Sequence, residues 1–185
     1  MQVGEGKKAE AEHVLGNTAV LLLLGSILVT AVGLPGLNRI LRLCGASDTV
    51  MPYARDYLQI IVLGTVFQTV GFGLNASIRG EGNPRIAMLS MLISVVLNAI
   101  LAPILIFGFG WGMRGAALAT VISQAVMAVW VVVYFFRGAS VLRFHAGTMR
   151  WDAAISGRIL VLGLPHFAMQ IANSVLQSIL GSSGI

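Results

Sequence analysis

The sequence predicts an all-α integral membrane protein with about five transmembrane helices. Of its 185 residues, 57% are hydrophobic and only 10% are charged, whereas about a quarter of the residues of an average soluble domain carry charge. The mean hydropathy is +0.88, so lipid is the expected solvent for most side chains. The apolar residues also form separate long runs, as membrane-spanning helices require.

Five runs almost without charged residues locate the predicted spans. They cover residues 14–38, 57–78, 86–113, 115–136, and the chain from Ile159 onward, where only His166 interrupts. Each is long enough for the roughly 20 residues that cross a bilayer core. They are predicted to be helices because a single helix satisfies its own backbone groups in lipid. The third is expected to end before the glycine-rich turn at residues 108–112.

The basic residues between the runs predict an orientation. Alternate connections place eight of them on one side of the membrane: Lys7, Lys8, Arg79, Arg85, Arg137, Arg143, Arg150 and Arg158. The other side receives four: Arg39, Arg42, Arg55 and Arg114. Since cytoplasmic loops are enriched in Lys and Arg, the amino terminus is predicted to lie in the cytoplasm. The protein itself is predicted to be a multi-pass protein of the inner (plasma) membrane.

Several function classes are disfavoured by the same composition. The net charge of +5 is dispersed among short connections, so it is not the concentrated basic surface of a nucleic-acid-binding protein. The single cysteine excludes an intramolecular disulfide and a multi-thiolate metal site. No span carries an acid, a basic pair or a metal-ligand pair, so we expect neither an enzyme, nor a cofactor, nor a bound metal.

Uncharged polar residues recur at helical spacing within the spans, and some of them are candidates for lining a substrate or ion cavity. Ser90, Ser94 and Asn98 are four residues apart and therefore share one helix face. The candidates for the cavity come from four of the five spans: Gln68, Asn75, Ser94, Asn98, Thr120, Gln124, Gln170 and Asn173.

Two interpretations of these stripes remain open. Small and polar residues are what membrane helices use to pack closely and to form hydrogen bonds with one another, and this interpretation is favoured for the serines and glycines. Asn98, Gln124 and Asn173 are larger and costlier to bury, so for them lining a cavity and packing between helices are equally favoured. His166 follows Pro165 and is either a proton carrier or, as is more usual, an interfacial side chain.

Three segments in order carry a resemblance to a known family. A turn with the sequence RGEGNPRIAM covers residues 79–88, NAILAPILIFG covers residues 98–108, and GAALAT covers residues 115–120. This succession resembles the MATE family of multidrug and toxic compound extrusion transporters. Residues 4–16 resemble that family's cytoplasmic loop after its second helix, and Gly163, Leu164 and Pro165 resemble the start of its seventh helix.

The resemblance implies a part of a twelve-helix, two-lobe transporter. Residues 1–137 would supply helices three to six of the first lobe, residues 138–158 the cytoplasmic linker between lobes, and residues 159–185 helix seven. The implied function is antiport, in which entry of H⁺ or Na⁺ drives export of amphipathic, often cationic drugs by alternating access. The implied partners are these drugs, the lipid bilayer and the remaining helices of the same transporter. Without those helices, the chain alone is not expected to transport.

One departure from the family pattern concerns its cation site. Family members often carry an Asp before the proline of the fifth helix, near an Asn and a Thr. Asn98 and Thr120 match the last two, but Ala102 stands where the Asp would be. The alternative function is a related flippase of lipid-linked oligosaccharides, whose anionic substrate calls for arginines in the spans, and none is present.

Overall fold

The computed structural model describes residues 5–43, 47–137, 140 and 153–182, and these are helical apart from short turns. The helices are α1 (Glu5–Leu43), α2 (Met51–Gly80), α3 (Pro84–Pro103), α4 (Gly112–Phe136) and α5 (Ala153–Ser182). The predicted all-α class is confirmed. The chain divides into two compact units, residues 1–150 with α1–α4 and residues 151–185 with α5.

Four segments are long and apolar enough to cross a membrane: Ala11–Arg42, Met51–Gly80, Pro84–Gly108 and Gly112–Phe136. They coincide with the first four predicted spans. The fifth predicted span lies within α5, and its crossing of a membrane stays a prediction. The domain boundaries also stay predictions, because most of the predicted linker (138, 139 and 141–152) lies outside the described residues.

The turn between α2 and α3 follows from its sequence. Gly82 has a φ of +87°, a left-handed conformation that glycine adopts without the steric cost of a Cβ. Pro84 then opens α3, at a position where the missing N–H of proline costs no helical hydrogen bond. The turn is therefore short, and α2 and α3 run in opposite directions through the membrane.

The third span ends in an unusual helical turn. Pro103 is the last residue of α3, and residues Ile104–Gly108 continue it as a π-helix, with the Phe109 amide bonded to the Ile104 carbonyl at 3.0 Å. Gly110 and Gly112 have positive φ angles and reverse the chain into α4. The end of the span thus falls at the predicted glycine-rich turn.

Helix α4 is the centre of the first unit. It packs against α2 and α3, and α2 packs in addition against α1. A larger share of the apolar part of α4 is buried than of the other three membrane-spanning segments. The buried apolar core joins all four helices: Leu15, Ala19, Leu74, Ile78, Ala87, Met127, Val131, Tyr134 and Phe135. Large apolar side chains elsewhere are exposed on the protein surface, as lipid-facing positions are.

Candidate functional site

The polar stripe of α3 faces the neighbouring helices. Ser90, Ser94 and Asn98 follow one another at intervals of four residues, or about 6 Å along the axis. Each of them forms a hydrogen bond to a different helix position: Ser90 with Asn75 of α2, Ser94 with the carbonyl of Ser123 and Asn98 with Thr120 of α4. The stripe therefore lies at the junction of α2, α3 and α4.

The pair at the far end of the stripe joins α3 to α4. Asn98 donates from Nδ2 to the hydroxyl oxygen of Thr120 at 3.2 Å, and this hydroxyl donates to the Ala116 carbonyl at 3.0 Å. One turn away, Ser94 donates to the Ser123 carbonyl at 3.1 Å. Asn98 and Thr120 are half-buried, so their remaining oxygen lone pairs can be approached by a small ligand.

The other end of the stripe is a closed polar cluster. Asn75 is fully buried and donates from Nδ2 to the Ala87 carbonyl at 2.8 Å and to the Ser90 hydroxyl at 2.7 Å. Ser90 in turn donates to the same carbonyl at 2.8 Å. These two acceptors fix the orientation of the Asn75 amide. Its Oδ1 is buried with no hydrogen-bond partner among the described residues.

The other four candidates lie apart from the stripe. Gln68 of α2 is exposed, and Gln124 of α4 is half-buried. The hydrogen bonds of the described residues link neither of them to the α3 stripe. Gln170 and Asn173 are exposed on α5, which belongs to the second unit. A common cavity lined by all eight candidates thus stays a prediction.

The first unit also carries a groove that the sequence analysis missed. Its volume is about 650 Å³, and it is lined by Ile86 of α3 and by one face of α4 between residues 122 and 137. The signal was available, because Ile122, Val126, Val129 and Val133 recur at intervals of four, three and four residues. This apolar stripe ends at Arg137.

Charged groups lie at the helix ends of the first unit. Arg114, at the start of α4, donates from Nε to Oδ2 of Asp56, near the start of α2, at 3.0 Å. Both side chains are solvent-accessible, so the pair is a surface contact of small energetic weight. The stripe itself consists of uncharged groups that can donate or accept hydrogen bonds but do not exchange a proton near neutral pH.

Comparison with known proteins identifies the family. The MatE family model matches residues 1–104. A multidrug export protein MepA from Staphylococcus haemolyticus is 36% identical over 154 residues, which are 83% of this chain and 34% of that protein. A MepA from a bovine strain of Staphylococcus aureus is 34% identical over 78% of this chain and 32% of its own length.

A solved structure supports the same assignment. A MOP superfamily transporter from Pyrococcus furiosus, for which reversed polarity of the binding pocket suggests a different function, matches with a TM-score of 0.89 and 28% identity, over 96% of this chain and 39% of its own. The chain spans about a third of the length of the curated relatives it matches. It belongs to the MatE family of transporters and is a multi-pass membrane protein.

Proposed function

We propose that the chain is part of a multidrug efflux antiporter that exports amphipathic, often cationic compounds in exchange for H⁺ or Na⁺ by alternating access. The observation that carries the proposal is the hydrogen bond between Asn98 and Thr120. These residues match the two uncharged members of the cation site in the family, and they are in contact across α3 and α4. The names of the staphylococcal relatives, multidrug export proteins, agree with this assignment.

In this proposal the chain contributes most of one lobe and the start of the other. Residues 1–137 supply helices three to six, residues 138–158 the linker and residues 159–185 helix seven. The amino terminus lies in the cytoplasm and the protein in the inner (plasma) membrane, as the distribution of basic residues favours. The 185-residue chain by itself forms no closed pathway and does not transport.

Ion coupling needs a charged group that this lobe lacks. Asn98 and Thr120 offer neutral oxygens, and Ala102, one helical turn after Asn98, offers none. A cation or proton that drives export at this place requires a carboxylate, because an uncompensated charge in the membrane interior is costly. We therefore assign the titrating group to helices outside these spans, and the Asn98–Thr120 pair to an auxiliary role. No cofactor is needed.

The uncharged polar side chains suit amphipathic substrates. Gln68, Gln124, Gln170 and Asn173 present amide groups without fixed charge, so they accept hydrogen bonds from drugs of varied shape. Lipid-linked oligosaccharide transport is the alternative, and its anionic phosphates would need arginines at membrane depth. The basic side chains of the described spans lie instead at helix ends, as do Arg39, Arg79 and Arg137, which favours the exporter.

A chimeric transporter tests the proposal. Residues 5–137 replace the matching segment of the MepA protein of S. haemolyticus, and the chimera is produced in a drug-hypersensitive bacterial strain. Raised resistance to cationic dyes, and dye efflux that collapses with the ion gradient, are expected. A chimera present in the membrane in normal amount that leaves the cells sensitive overturns the proposal and favours the flippase alternative. Export by the 185-residue chain alone in proteoliposomes contradicts the assigned dependence on further helices.

A further inference from the structure

The groove on α4 differs in character from one end to the other. Its walls are apolar along most of its length, where Ile122, Val126 and Val129 are exposed. Polar groups enter it at the carboxyl end of α4, where Tyr134 and Arg137 join the lining. A ligand that fits this distribution has a long apolar part and one polar, anionic end.

The length of the groove corresponds to one leaflet of a bilayer. From residue 122 to residue 137 the helix rises about 22 Å, at 1.5 Å per residue. Half of a bilayer, from its midplane to the outer edge of the headgroups, also measures about 20–22 Å. An acyl chain lying along α4 therefore reaches from the bilayer centre, near Ile122, to the headgroup level at Arg137.

The polar end is equipped for a phosphate group. The Arg137 guanidinium carries several N–H donors in a planar fork that matches phosphate oxygens. The Tyr134 hydroxyl accepts a hydrogen bond from Nδ2 of Asn83 at 3.2 Å, and its own proton remains available for a second acceptor. The bond to Asn83, in the turn that precedes α3, also fixes the position of the ring. Arg137, which is exposed, and Tyr134, most of whose side chain is buried, thus both line the polar end of an apolar groove.

The charge at the polar end of the groove favours an anionic lipid over a zwitterionic one. Arg79 at the end of α2, Arg85 at the start of α3 and Arg137 after α4 lie at the same end of the antiparallel helices. Glu81 shares this end, and its carboxylate accepts from the Ser140 hydroxyl. The start of α1 lies at this end too and adds Lys7 and Lys8 as well as Glu5, Glu10 and Glu12, so the five cations exceed the four anions by one. The charged side chain that lines the groove itself is Arg137, and an arginine near the membrane surface attracts anionic headgroups.

We propose that the groove formed by Ile86 and residues 122–137 is a binding site for an anionic phospholipid, with one acyl chain along α4 and the phosphate at Arg137 and Tyr134. The site is separate from the Asn98–Thr120 pair and does not depend on the transport function proposed above. A helix of a larger transporter lying in the same groove is the competing occupant, and the experiment below distinguishes the two.

Fluorescence quenching of Trp130, which lines the groove, provides the test. The 185-residue chain with W111F and W151F keeps Trp130 as its single tryptophan and is reconstituted in phosphatidylcholine vesicles that contain a small fixed fraction of phosphatidylglycerol. Bromine atoms are placed on the acyl chains of either lipid, one lipid at a time. Brominated phosphatidylglycerol is expected to quench as if its fraction at Trp130 were about five times its bulk fraction. This factor corresponds to the attraction of an anionic lipid by one arginine near the membrane surface.

Variants separate a built site from general contact with lipid. Arg137→Gln is expected to reduce the enrichment to the bulk value, Arg137→Lys to keep part of it, and Tyr134→Phe to lower it. Arg42→Gln, a matched loss of charge at the end of α1, is expected to leave it unchanged. Circular dichroism of each variant in the same vesicles shows whether the helical fold persists, and quenching by brominated phosphatidylcholine is expected to rise as the enrichment of phosphatidylglycerol falls.

Two outcomes overturn the proposal. Quenching by each lipid in proportion to its bulk fraction means that Trp130 meets ordinary annular lipid without a headgroup preference. Absence of quenching by both lipids means that a protein segment or a second copy of the chain covers the groove. The same measurement on a full-length transporter that contains this segment then shows whether lipid or a helix occupies the groove there.

Discussion

Asn98 donates a hydrogen bond from its Nδ2 to the hydroxyl oxygen of Thr120, 3.2 Å away, and so joins α3 to α4 at a half-buried point of the first unit. The hydroxyl is held in turn by the Ala116 carbonyl. Both side chains are oriented before any ligand arrives. In the proposed antiporter, this arrangement would let the pair present its neutral oxygens in its auxiliary role at little cost of reorganisation.

The first prediction concerns this pair in the chimeric exporter described above. Asn98→Ala and Thr120→Val are each expected to lower the rate of ion-coupled efflux per molecule by roughly two- to tenfold, the equivalent of one hydrogen bond of about 0.5–1.5 kcal/mol. Thr120→Ser keeps the hydroxyl and is the control. Efflux of a fluorescent dye is measured at matched amounts of protein in the membrane. If the variants reduce only the amount of protein, the pair stabilises the fold and has no part in transport.

The second prediction concerns the close approach of α2 to α4. A Cβ on Gly64 would overlap Cγ2 of Val121 and lie 2.9 Å from its Cγ1, whereas a Cβ on Gly71 would meet the Ala128 backbone at an ordinary 3.5 Å. Gly64→Ala is therefore expected to destabilise the unit by about 1–3 kcal/mol, as overpacking does. Gly71→Ala is the matched control and is expected to be tolerated.

A rescue experiment identifies the cause of the Gly64 effect. Combining Gly64→Ala with Val121→Ala removes both γ-methyl groups and is expected to recover most of the lost stability. The measurement is the midpoint of unfolding in a denaturing detergent, followed by circular dichroism. Equal losses for Gly64→Ala and Gly71→Ala, or no recovery in the double variant, would contradict the steric explanation.

The helical spans were predictable because hydropathy is a local property of the sequence. The turn before Pro84 and the end of the third span near residue 108 were also predictable, since glycine and proline mark turns wherever they occur together. The start of α1 at Glu5 lies well before the predicted span at Val14, because a helix continues through polar residues outside the bilayer. The π-helix at Ile104–Gly108 has no sequence signal of comparable strength.

The candidate site was predictable only in part. Spacing placed Ser90, Ser94 and Asn98 on one face of α3, but it does not determine which helix that face meets. The contacts to Asn75 and Thr120 depend on how α2 and α4 pack, which involves residues distant in sequence. The exposure of Gln68 likewise depends on how the helices pack and not on its spacing in the sequence. The groove on α4 is mostly apolar and ends in a single arginine, so no pattern of polar residues predicts it.

The third prediction compares how much Asn75 and Ser90, the two residues of the buried cluster, contribute to stability. Asn75→Ala removes the bonds to Ser90 and to the Ala87 carbonyl and opens a cavity, and it is expected to cost about 1–2 kcal/mol in a membrane environment. Ser90→Ala leaves Asn75 bonded to that carbonyl and is expected to cost less. Detergent-induced unfolding of the two variants measures the difference. A larger loss for Ser90→Ala would show that the serine, and not the asparagine, holds α2 against α3.

The fourth prediction concerns a carboxylate introduced at position 102, where this chain has alanine. Ala102 lies four residues after Asn98 and therefore on the same face of α3, so Ala102→Asp adds an acid close to the Asn98–Thr120 pair. An unpaired charge at membrane depth costs about 2.5–3.5 kcal/mol, and the variant is expected to melt at a lower temperature than the parent chain in choline buffer at neutral pH.

A bound cation or a proton removes this penalty. Recovery of the melting temperature by Na⁺ is expected if the pair and the new carboxylate form a sodium site. Recovery at acidic pH is expected if the carboxylate is neutralised by a proton, since burial raises the pKa of an acid and stability is then lost as the pH rises through that value. Ala102→Asn is the uncharged control and is expected to respond to neither. A variant whose melting temperature recovers with neither Na⁺ nor acid would mean that the oxygens of Asn98 and Thr120 do not serve a cation site in this lobe.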